Sequence, residues 1–483
     1  MYSHSPLLVA LYKHSVATPQ KIAIIETNYQ LSYGELIVNI RKAATFLYNR
    51  GVRSGDNVIL SAHKDIEFIY LYYASHILGS VNVIIDAESN AERVQYVEEQ
   101  VKPALCCGYI SQTYPSVLFS DLSIHDYDEY VADNSANLTE ESIAEILFTT
   151  GTTGNPKGVC LSYVNIFSSA NNINKYIRNV ADDVEIIGLP ICHSFGLGRV
   201  RCNLLIGSTC VLMGNFANVR LFFSLIEKYC ATGFAMVPAA WMYIKKISGH
   251  RIDKYASQIK YIEIGSASLP IEEKKDLLQR FSNTRICMHY GLTEASRSTF
   301  VEFHDVEHIQ SIGKPVTEQV DVKIMDILGD ELQHDVVGEI CLSGNMVMKR
   351  YLHDNDTKDA FYGRYFRTGD FGYKDSDGYV YLVGREKEMI NVGGKKVSPM
   401  EIEDAICALG VGDCVCVPTK DTSGILGEVV KCYILEGSTT LTFEEISKLL
   451  IESLEPYKRP VIYQWIDKIP VTASGKKQRT KLI

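Results

Sequence analysis

The chain has 483 residues, of which 46% are hydrophobic and 22% are charged, and its formal net charge is −10. This length allows two or more substantial hydrophobic cores, while the acidic balance argues against a nucleic-acid-binding protein, whose surface would be basic. An anionic substrate would need local positive groups, because the overall charge does not attract it.

The N-terminus and the cysteines indicate a protein of the reducing cytoplasm. Met1–Pro19 lacks an apolar core preceded by positive charge, so we expect no secretory signal. The uncharged stretches Phe68–Ile85 and Cys202–Val219 contain glycine and asparagine, which favours helices packed on strands over membrane spans. The thirteen cysteines form no CxxC pair and have no histidine at zinc spacing, so we expect free buried thiols without metal ligation.

Strand and helix patterns alternate in the first part of the chain. Ser32 and Glu35 form a capping-box pattern, and apolar residues at helical spacing follow until Gly51. We then expect strand, helix, strand, helix and strand at Asp56–Leu60, Ile66–Leu78, Val81–Ile85, Ala91–Glu99 and Ala104–Cys107. This alternation predicts parallel sheets with helices on both faces.

The later part of the chain changes its pattern twice. A second alternating set runs from Val184 to Met288, and after Ser311 short runs predict a smaller antiparallel barrel or sheet. Charge density rises at Gly384–Lys387, where we place a domain boundary. The compact unit beyond it should contain strands and helices at Asp413–Val417, Val429–Leu435, Pro399–Leu409 and Phe443–Leu454.

The segment Ile146–Val159 carries the strongest chemical signal. The apolar run Ala144–Phe148 leads into a loop with four threonines, three glycines and one lysine, and Leu161–Ile177 then has the mixed composition of a surface helix. Inward-facing N–H groups, short hydroxyl donors and the Lys157 ammonium group would together cradle a polyphosphate. The alternative is a flexible surface loop.

This loop differs from the Walker A loop of ordinary kinases and GTPases. A Walker A sequence needs four residues between its first glycine and the Gly-Lys-Ser/Thr triplet. Here Gly151 and Gly154 are too close together, and Gly158 follows Lys157 in place of serine or threonine. An ordinary P-loop enzyme is therefore disfavoured.

A second candidate site lies after a predicted strand at Ile286–Met288. In open α/β sheets, ligands bind beyond the carboxyl ends of the strands. Tyr290 offers a flat face for a purine, Thr293 a hydroxyl for a phosphate and Glu294 a carboxylate for Mg²⁺. A Tyr-Gly turn beside a glutamate can also be purely structural.

Two further motifs lie nearer the C-terminus. Asp370, in Thr-Gly-Asp, can accept hydrogen bonds from both hydroxyls of a ribose, and Arg385 can add donors to it. A turn aspartate and an arginine paired with acidic neighbours are the structural alternative. The basic run near the end contains Lys476 and Lys477, which either form a frayed tail or bring a positive charge to the site.

Taken together and in this order, the motifs resemble those of the adenylate-forming superfamily, which includes acyl-CoA synthetases, peptide-synthetase adenylation domains and luciferases. Members usually carry Thr-Ser-Gly-Thr-Thr-Gly-x-Pro-Lys-Gly, and Thr150 keeps the hydroxyl of the usual serine. The resemblance runs from Thr18 to Lys476. It implies an α/β fold: an N-terminal domain (1–384) of two doubly wound sheets plus a small β-barrel subdomain, and a mobile α+β lid domain (385–483).

The resemblance also implies that ATP and Mg²⁺ are bound between the two domains. Lys476, Glu294 and Thr293 would be catalytic, with Glu294 as the Mg²⁺ ligand. The nucleotide would contact Thr149, Thr150, Gly151, Thr152, Thr153, Gly154, Lys157, Ser266, Ala267, Tyr290, Gly291, Leu292, Thr293, Asp370, Arg385 and Lys476. Spacing alone does not separate Lys476 from Lys477, and the resemblance selects Lys476.

The implied reaction activates a carboxylic acid as acyl-AMP, releases pyrophosphate and passes the acyl group to the thiol of coenzyme A. The lid would turn about Lys387 between the two steps. The acyl pocket and thiol tunnel would be lined by His193, Phe195, Gly265, Gly393 and Gly394. For His193 the alternative is a histidine packed at a helix start, and for Gly265–Ala267 it is close packing.

The sequence leaves the acid and the acceptor open. No aspartate lies between Gly188 and Arg201, which argues against an α-amino acid substrate. Arg199 and Arg201 could meet a second carboxylate or a CoA phosphate, although pairing at the surface or between domains is favoured. Met236–Trp241 could form a pocket wall or a core.

Three functional classes remain: a CoA ligase, a ligase that loads the phosphopantetheine of a carrier protein, and a non-catalytic homologue. No carrier domain is fused, so a carrier protein would act in trans. The intact Lys157, Glu294, Asp370, Arg385 and Lys476 argue against the third class.

Overall fold

Two large mixed sheets with a shared layer of helices form most of the computed structural model, which describes residues 3–27, 29–130, 138–149, 156–385, 388–422, 426–471 and 477–483. None of the helices in these ranges combines the length and the apolar character that a membrane crossing needs. The stretches around 68–85 and 202–219 are helices followed by strands, as expected.

The helices are α1 (Pro6–Ala17), α2 (Tyr33–Asn49), α3 (Ile66–Leu78), α4 (Ala91–Val101), α5 (Tyr163–Ile177), α6 (Ser194–Ile206), α7 (Val219–Tyr229), α8 (Pro238–Ser248), α9 (Ile271–Arg280), α10 (Asp354–Thr357), α11 (Pro399–Ala408) and α12 (Phe443–Leu449). The strands are β1 (Ile22–Glu26), β2 (Tyr29–Ser32), β3 (Asn57–Ala62), β4 (Val81–Asp86), β5 (Leu105–Cys107), β6 (Ser116–Val117), β7 (Ile143–Thr149), β8 (Lys157–Ser162), β9 (Val184–Ile187), β10 (Thr209–Leu212), β11 (Gly233–Met236), β12 (Tyr261–Ile264), β13 (Arg285–Tyr290), β14 (Thr299–Glu302), β15 (Val320–Met325), β16 (Gly338–Gly344), β17 (Arg350–Tyr351), β18 (Phe361–Tyr362), β19 (Tyr365–Lys374), β20 (Val380–Arg385), β21 (Ile390–Val392), β22 (Lys395–Val397), β23 (Cys414–Lys420), β24 (Glu428–Leu435) and β25 (Ile462–Ile466).

The two large sheets are parallel at their centres and antiparallel at their edges. One has the order β17-β8-β7-β4-β3-β5-β6, with β8 and β17 antiparallel to their neighbours. The other has the order β14-β13-β12-β11-β9-β10-β1-β2, with β2 and β14 antiparallel. Helices α1, α2, α3, α5 and α6 lie between the sheets in one continuous core, while α4 covers one outer face and α7 to α9 cover the other.

The helix and strand positions agree closely with the sequence pattern. Ser32 and Glu35 form the predicted capping box at the start of α2, and Gly51 adopts a φ of 90° just after it. The strands after Ser311 form a five-stranded antiparallel sheet, which is one of the two forms left open above. In the last 100 or so residues, β23, β24 and α11 lie where predicted, and α12 ends at Leu449, several residues early.

Around the threonine-rich segment, the predicted strand and the position of the predicted helix are confirmed as β7 and α5, but the direct passage from loop to helix and the surface character of that helix are wrong. The segment instead joins two antiparallel strands, β7 and β8, because Val159–Leu161 continue as a buried strand before the capping residue Ser162 starts α5. Helix α5 is not a surface helix, since ten of its side chains are buried in the shared layer.

The prediction that Arg199 and Arg201 pair at the surface or between domains is also wrong. Both lie on α6, which is buried between the two sheets, and they are 0% and 3% exposed. Arg199 donates to Glu185 at 2.7 Å, and Arg201 forms a buried ion pair with Glu145. A charge in this layer requires a partner of opposite sign, so neither guanidinium is available to a second carboxylate or a CoA phosphate.

Trp241 belongs to the core and not to a pocket wall. Its side chain is 0% exposed, and its indole N–H donates to Glu273. The thirteen cysteines are free thiols as expected; eleven are buried, Cys407 is half-buried and Cys230 is exposed.

Candidate active site

Tyr290, Asp370 and Arg385 form one hydrogen-bonded group, although they come from two different sheets. The Tyr290 hydroxyl donates to Asp370 Oδ2 at 2.6 Å, and Arg385 Nε donates to Asp370 Oδ1 at 2.8 Å. Tyr290 ends β13, while Asp370 and Arg385 are paired across β19 and β20. The residues predicted for the purine and for the ribose therefore lie in direct contact.

A backbone irregularity orients Asp370. The pairing of β16 with β19 shifts register between Glu339 and Cys341, and Gly369 has a φ of 69°, which favours glycine. The Gly369 N–H donates to Glu339 at 3.0 Å, and the Asp370 N–H donates to the Thr368 hydroxyl. Bulges of this kind redirect side chains next to functional sites.

The Asp370 carboxylate raises the pKa of both of its neighbours, Tyr290 and Arg385. Burial and then Asp370 raise the pKa of Tyr290 well above its ordinary value, so its hydroxyl remains a donor. Burial alone would lower the pKa of Arg385, but Asp370 and Glu388 outweigh this effect and raise it. Asp370 is 4% exposed, and each of its carboxylate oxygens has a further lone pair for a ligand hydroxyl.

A second group surrounds Glu294. Its carboxylate accepts the hydroxyl of Tyr351 at 2.9 Å, and Lys157 lies over the Tyr351 ring at 5.2 Å from the centroid. Lys157 also pairs with Asp356 at 2.9 Å. Strand β17, which carries Tyr351, is hydrogen-bonded to β8, which carries Lys157, so the sheet holds these side chains together.

Glu294 fits the requirement for a Mg²⁺ ligand. It is 9% exposed, and none of the lysines, arginines and histidines among the described residues forms an ion pair with it. A buried carboxylate without a cationic partner, beside a predicted phosphate loop, suits Mg²⁺, which is usually held by one or two carboxylates and substrate phosphates.

The turn that joins these two groups is tight. Leu292 and Ala295 exchange backbone hydrogen bonds of 3.1 and 3.2 Å, which places Thr293 in the bend between them. A Cβ at Gly291 would lie 2.4 Å from the backbone N of Arg297, so only glycine fits there.

The predicted acyl-pocket residues Gly265 and Phe195 meet at His289. The rings of Phe195 and His289 lie edge to face at 4.6 Å, and a Cβ at Gly265 would lie 2.0 Å from the His289 ring. His289 Nδ1 is 2.8 Å from Glu263, whose pKa is lowered, since Arg297 and His289 outweigh burial. Burial lowers the pKa of His289, so its ring is neutral near pH 7.

Arg297 ties the start of α6 to this pocket. Its guanidinium donates to the carbonyls of Ser194 and Phe195, each at 2.8 Å, and its Nε lies 3.3 Å from Glu263. His193, the residue just before α6, is exposed, and its side chain makes no capping hydrogen bond. Ser266 has a φ of 74° and, with Ala267, forms the bend after β12.

Several predicted site residues lie outside the described residues: Thr150, Gly151, Thr152, Thr153, Gly154, Lys387 and Lys476. Their neighbours are described. Thr149 and Lys157 are paired across β7 and β8, so the threonine-rich segment connects two adjacent strand ends. Gly393 and Gly394 form the turn of the hairpin β21–β22, where Gly393 bonds to Leu426 within the small domain.

The lysine next to Lys476 has a structural role. Lys477 Nζ pairs with Asp413 at 2.9 Å and with Glu403 at 3.1 Å. Burial opposes its charge, but these carboxylates outweigh it and raise its pKa. Arg479 links Glu403 to Glu388, each at distances near 3 Å, so the chain on the C-terminal side of Lys476 is anchored in the small domain.

Sequence reasoning missed four residues of this site: Tyr351, Asp356, Glu263 and Arg297. None lies in a recognised motif. Glu263 carries the one detectable signal, since it is a charged residue inside the apolar strand Tyr261–Ile264. Tyr351 reaches the site only through the pairing of β17 with β8, which the sequence does not reveal.

Comparison with known proteins gives the family. The family model described as AMP-binding enzyme matches residues 11–352, which is more than half of the chain. The chain belongs to the AMP-binding enzyme family. The resemblance to the adenylate-forming superfamily is thereby confirmed.

Relatives of this AMP-binding enzyme align along almost its full length. The 2-succinylbenzoate–CoA ligase of Bacillus licheniformis is 26% identical, with 98% of each chain covered. The oxalate–CoA ligase of Arabidopsis thaliana is 29% identical, with 94% of this chain and 93% of that protein covered. The solved o-succinylbenzoate coenzyme A synthetase of Bacillus subtilis, in complex with ATP and a magnesium ion, has a TM-score of 0.87 at 24% identity, with 98% of each chain covered, which confirms the fold.

Proposed function

We propose that this AMP-binding enzyme is an acid–CoA ligase that activates a carboxylic acid as acyl-AMP and transfers the acyl group to the thiol of coenzyme A. The observation that carries the proposal is the contact of Tyr290 and Arg385 with Asp370, next to the turn that holds Glu294. Two full-length relatives are CoA ligases by name, which supports CoA over a carrier protein as the acceptor.

The nucleotide would lie against Tyr290 with its ribose on Asp370. The two carboxylate oxygens of Asp370 are fixed by Tyr290 and Arg385, so their remaining lone pairs are oriented before the ribose hydroxyls arrive. A preorganised acceptor of this kind loses little entropy on binding. Ser266 and Ala267, in the bend after β12, would border the purine from the other side.

The phosphates would extend from this point toward Lys157 and the threonine-rich loop. Mg²⁺ held by Glu294 would supply charge neutralisation for the leaving pyrophosphate. Thr293 and the loop hydroxyls would donate to phosphate oxygens, and Lys157 would exchange its partner Asp356 for a phosphate. Lys476 would bridge the acyl oxygen and the α-phosphate, where two negative groups must approach each other.

Lys476 is supported over Lys477 by the partners of the latter. The Lys477 ammonium group lies between Glu403 and Asp413, and if it moved to the nucleotide it would leave Asp413 without this ion pair and Glu403 with Arg479 alone. Lys476 precedes this anchor directly, so the anchored segment would present it to the large domain.

The second step would use residues 385–483 as a lid that turns about Lys387. Gly393 and Gly394, with φ values of 58° and 84°, form the tight turn of their hairpin. Because neither glycine has a side chain, this turn would leave room for a pantetheine arm. His193 and Phe195, at the start of α6, would border the same passage from the large domain.

The acid would either carry no second negative charge, or a cationic group other than these arginines would pair with that charge. Arg199, Arg201 and Arg297 are all engaged by glutamates, and His289 is neutral. The absence of an aspartate between Gly188 and Arg201 argues against α-amino acids.

The free thiols support a reducing compartment such as the cytoplasm.

A pyrophosphate-release screen tests this function. The full-length enzyme, ATP and Mg²⁺ are offered aliphatic, hydroxy, aryl, dicarboxylic and amino acids, and each product is identified by mass with and without CoA. We expect acid-dependent pyrophosphate and the matching acyl-CoA, with no signal from the Asp370→Ala variant. Acyl-AMP that is passed only to a phosphopantetheinylated carrier protein would assign the alternative acceptor, and no acid-dependent pyrophosphate would reject the proposal.

A further inference from the structure

Asp86, Cys192 and His193 form a compact group of metal-ligand side chains outside the nucleotide site. One ligand atom from each residue lies within 4.8 Å of the other two. Asp86 ends β4, whereas Cys192 and His193 form the turn between β9 and α6. The sequence gives no sign of this group, because it is assembled from two sheets and not from a local spacing of cysteine and histidine.

The three side chains are a suitable ligand set for an ion of the zinc class. Thiolate, imidazole and carboxylate are its usual protein ligands, with bonds of about 2.0 to 2.3 Å. In tetrahedral geometry such bonds place the ligand atoms about 3.5 Å apart, so rotamer shifts of roughly 1 Å would close this site. One thiolate, one carboxylate and one neutral imidazole also balance a divalent charge, and the fourth position is left for water.

The surroundings fix the ligands but leave an entrance. The Asp86 carboxylate accepts the Glu88 N–H at 3.0 Å, which orients it, and Cys192 is 8% exposed. Burial and Asp86 raise the pKa of Cys192 to about 12, so without an ion it is a thiol; a bound cation would displace its proton. His193 is exposed, which leaves a path for an ion from the solvent.

Lys64, whose charge acts on Cys192, is bound to backbone oxygens. Lys64 Nζ donates to the carbonyl of Met213 at 2.8 Å and to that of Gly214, so backbone oxygens compensate its charge. Burial lowers the pKa of Lys64 to about 8, so this ammonium group loses its proton more readily than that of an exposed lysine.

We propose that Asp86, Cys192 and His193 bind one divalent ion of the zinc class, at a site separate from the Mg²⁺ position at Glu294. The hard Mg²⁺ ion avoids thiolate ligands, whereas zinc and cobalt accept mixed sulfur, nitrogen and oxygen sets. The two sites are therefore distinguished by chemistry, and the proposal does not depend on the acid or the acceptor of the ligase reaction.

Titration of the full-length protein with Co²⁺ in excess Mg²⁺ and without added thiols tests the site. We expect one Co²⁺ per chain, a sulfur-to-cobalt charge-transfer band, and displacement by Zn²⁺. Cys192→Ser should remove the band, and His193→Ala and Asp86→Asn should each weaken Co²⁺ binding more than about tenfold, since loss of even an indirect partner costs that much.

Matched variants exclude a surface effect. Cys230→Ser removes the exposed cysteine and His250→Ala an exposed histidine, and both should bind Co²⁺ like the wild type. His193→Ala changes an exposed side chain, so it keeps the test decisive even if Cys192→Ser fails to fold. A charge-transfer band that is absent, never saturates, or survives both Cys192→Ser and His193→Ala would overturn the proposal.

Discussion

Asp370 holds Tyr290 and Arg385 at the same time, and this arrangement predicts how substitutions there affect ATP binding. Asp370→Asn removes the charge that pairs with Arg385 and one of the acceptors for the ribose, so the KM for ATP should rise at least about tenfold. Tyr290→Phe keeps the ring and loses one hydrogen bond of about 1 kcal/mol, so the change should be about fivefold. Steady-state kinetics with varied ATP measures both.

If the KM for ATP is unchanged in Asp370→Asn, Asp370 does not bind the ribose. Lys21→Ala is a suitable control, since Lys21 pairs with the exposed Asp182 far from the site and should leave the KM for ATP unchanged.

We expect the buried His76 to make the protein less stable at acidic pH. It is 0% exposed, and burial, Arg201 and His4 lower its pKa well below the ordinary 6.5. Below pH 6.5 the unfolded chain binds a proton at His76 while the native chain does not. The free energy of unfolding is therefore highest above pH 6.5 and decreases as the pH falls. The slope from this residue should be about half of 1.4 kcal/mol per pH unit at pH 6.5 and should approach about 1.4 kcal/mol per pH unit at lower pH.

Urea unfolding at several pH values between 7.5 and 5.5, roughly the span over which histidine titrates, measures this slope. His76→Gln should reduce the total loss of stability between pH 7.5 and pH 5.5 by about 1.4 kcal/mol, whereas His250→Gln, at an exposed position, should leave it as in the wild type. Equal slopes for the wild type and His76→Gln would contradict the assignment.

At the scale of elements, buried ion pairs join the internal helix layer to the sheets. Arg201 on α6 pairs with Glu145 on β7, the strand that leads into the threonine-rich loop, and Arg201 also donates to Tyr72 on α3 at 3.0 Å. Arg201→Ala leaves a buried glutamate without its partner and should cost about 3 to 5 kcal/mol.

The double variant Arg201→Met/Glu145→Leu should be considerably more stable than Arg201→Ala, because it leaves no buried charge unpaired. Chemical unfolding of the single and double variants gives the comparison. An Arg201→Ala variant with unchanged stability would show that the pair does not connect α6 to β7.

The elements differ in how far their sequence predicts them. Helix α3 and strand β4 are predicted within one residue, because the largely apolar segment Ile66–Leu78 is clearly bounded by Asp65 and Gly79. The hairpin β7–β8 is missed, because Val159–Leu161 are equally compatible with the start of a helix until their pairing with β7 is known. The roles of Arg199 and Arg201 are missed for a related reason, since burial of both faces of α6 is a property of the assembled layers.

The candidate site follows the same rule. Tyr290, Asp370 and Arg385 lie in motifs whose chemistry is readable, and the structure brings them into contact. Tyr351, Glu263 and Arg297 act through contacts between distant segments, so no local pattern reveals them. The group of Asp86, Cys192 and His193 is the extreme case, since the sequence argues against a thiolate site and the fold assembles one candidate.

At the scale of the whole molecule, the proposed reaction requires the small domain to deliver one positive charge to the large one. The charge of Glu388 raises the pKa of Arg385, and Glu388 forms an ion pair with Arg479. Arg479 also pairs with Glu403, which in turn pairs with Lys477. This chain of charges connects the ribose position to the anchored tail. If residues 385–483 turn as the proposed lid, this chain of charges would couple their orientation to the bound nucleotide.

The most direct test of the central claim is ATP–pyrophosphate exchange in the Lys476→Ala variant, with the acid that the screen identifies and Lys468→Ala as an exposed control. The account predicts that Lys476→Ala loses exchange by at least about a thousandfold but still converts supplied acyl-AMP and CoA to acyl-CoA, while Lys468→Ala retains both activities. Normal exchange in Lys476→Ala would contradict the account.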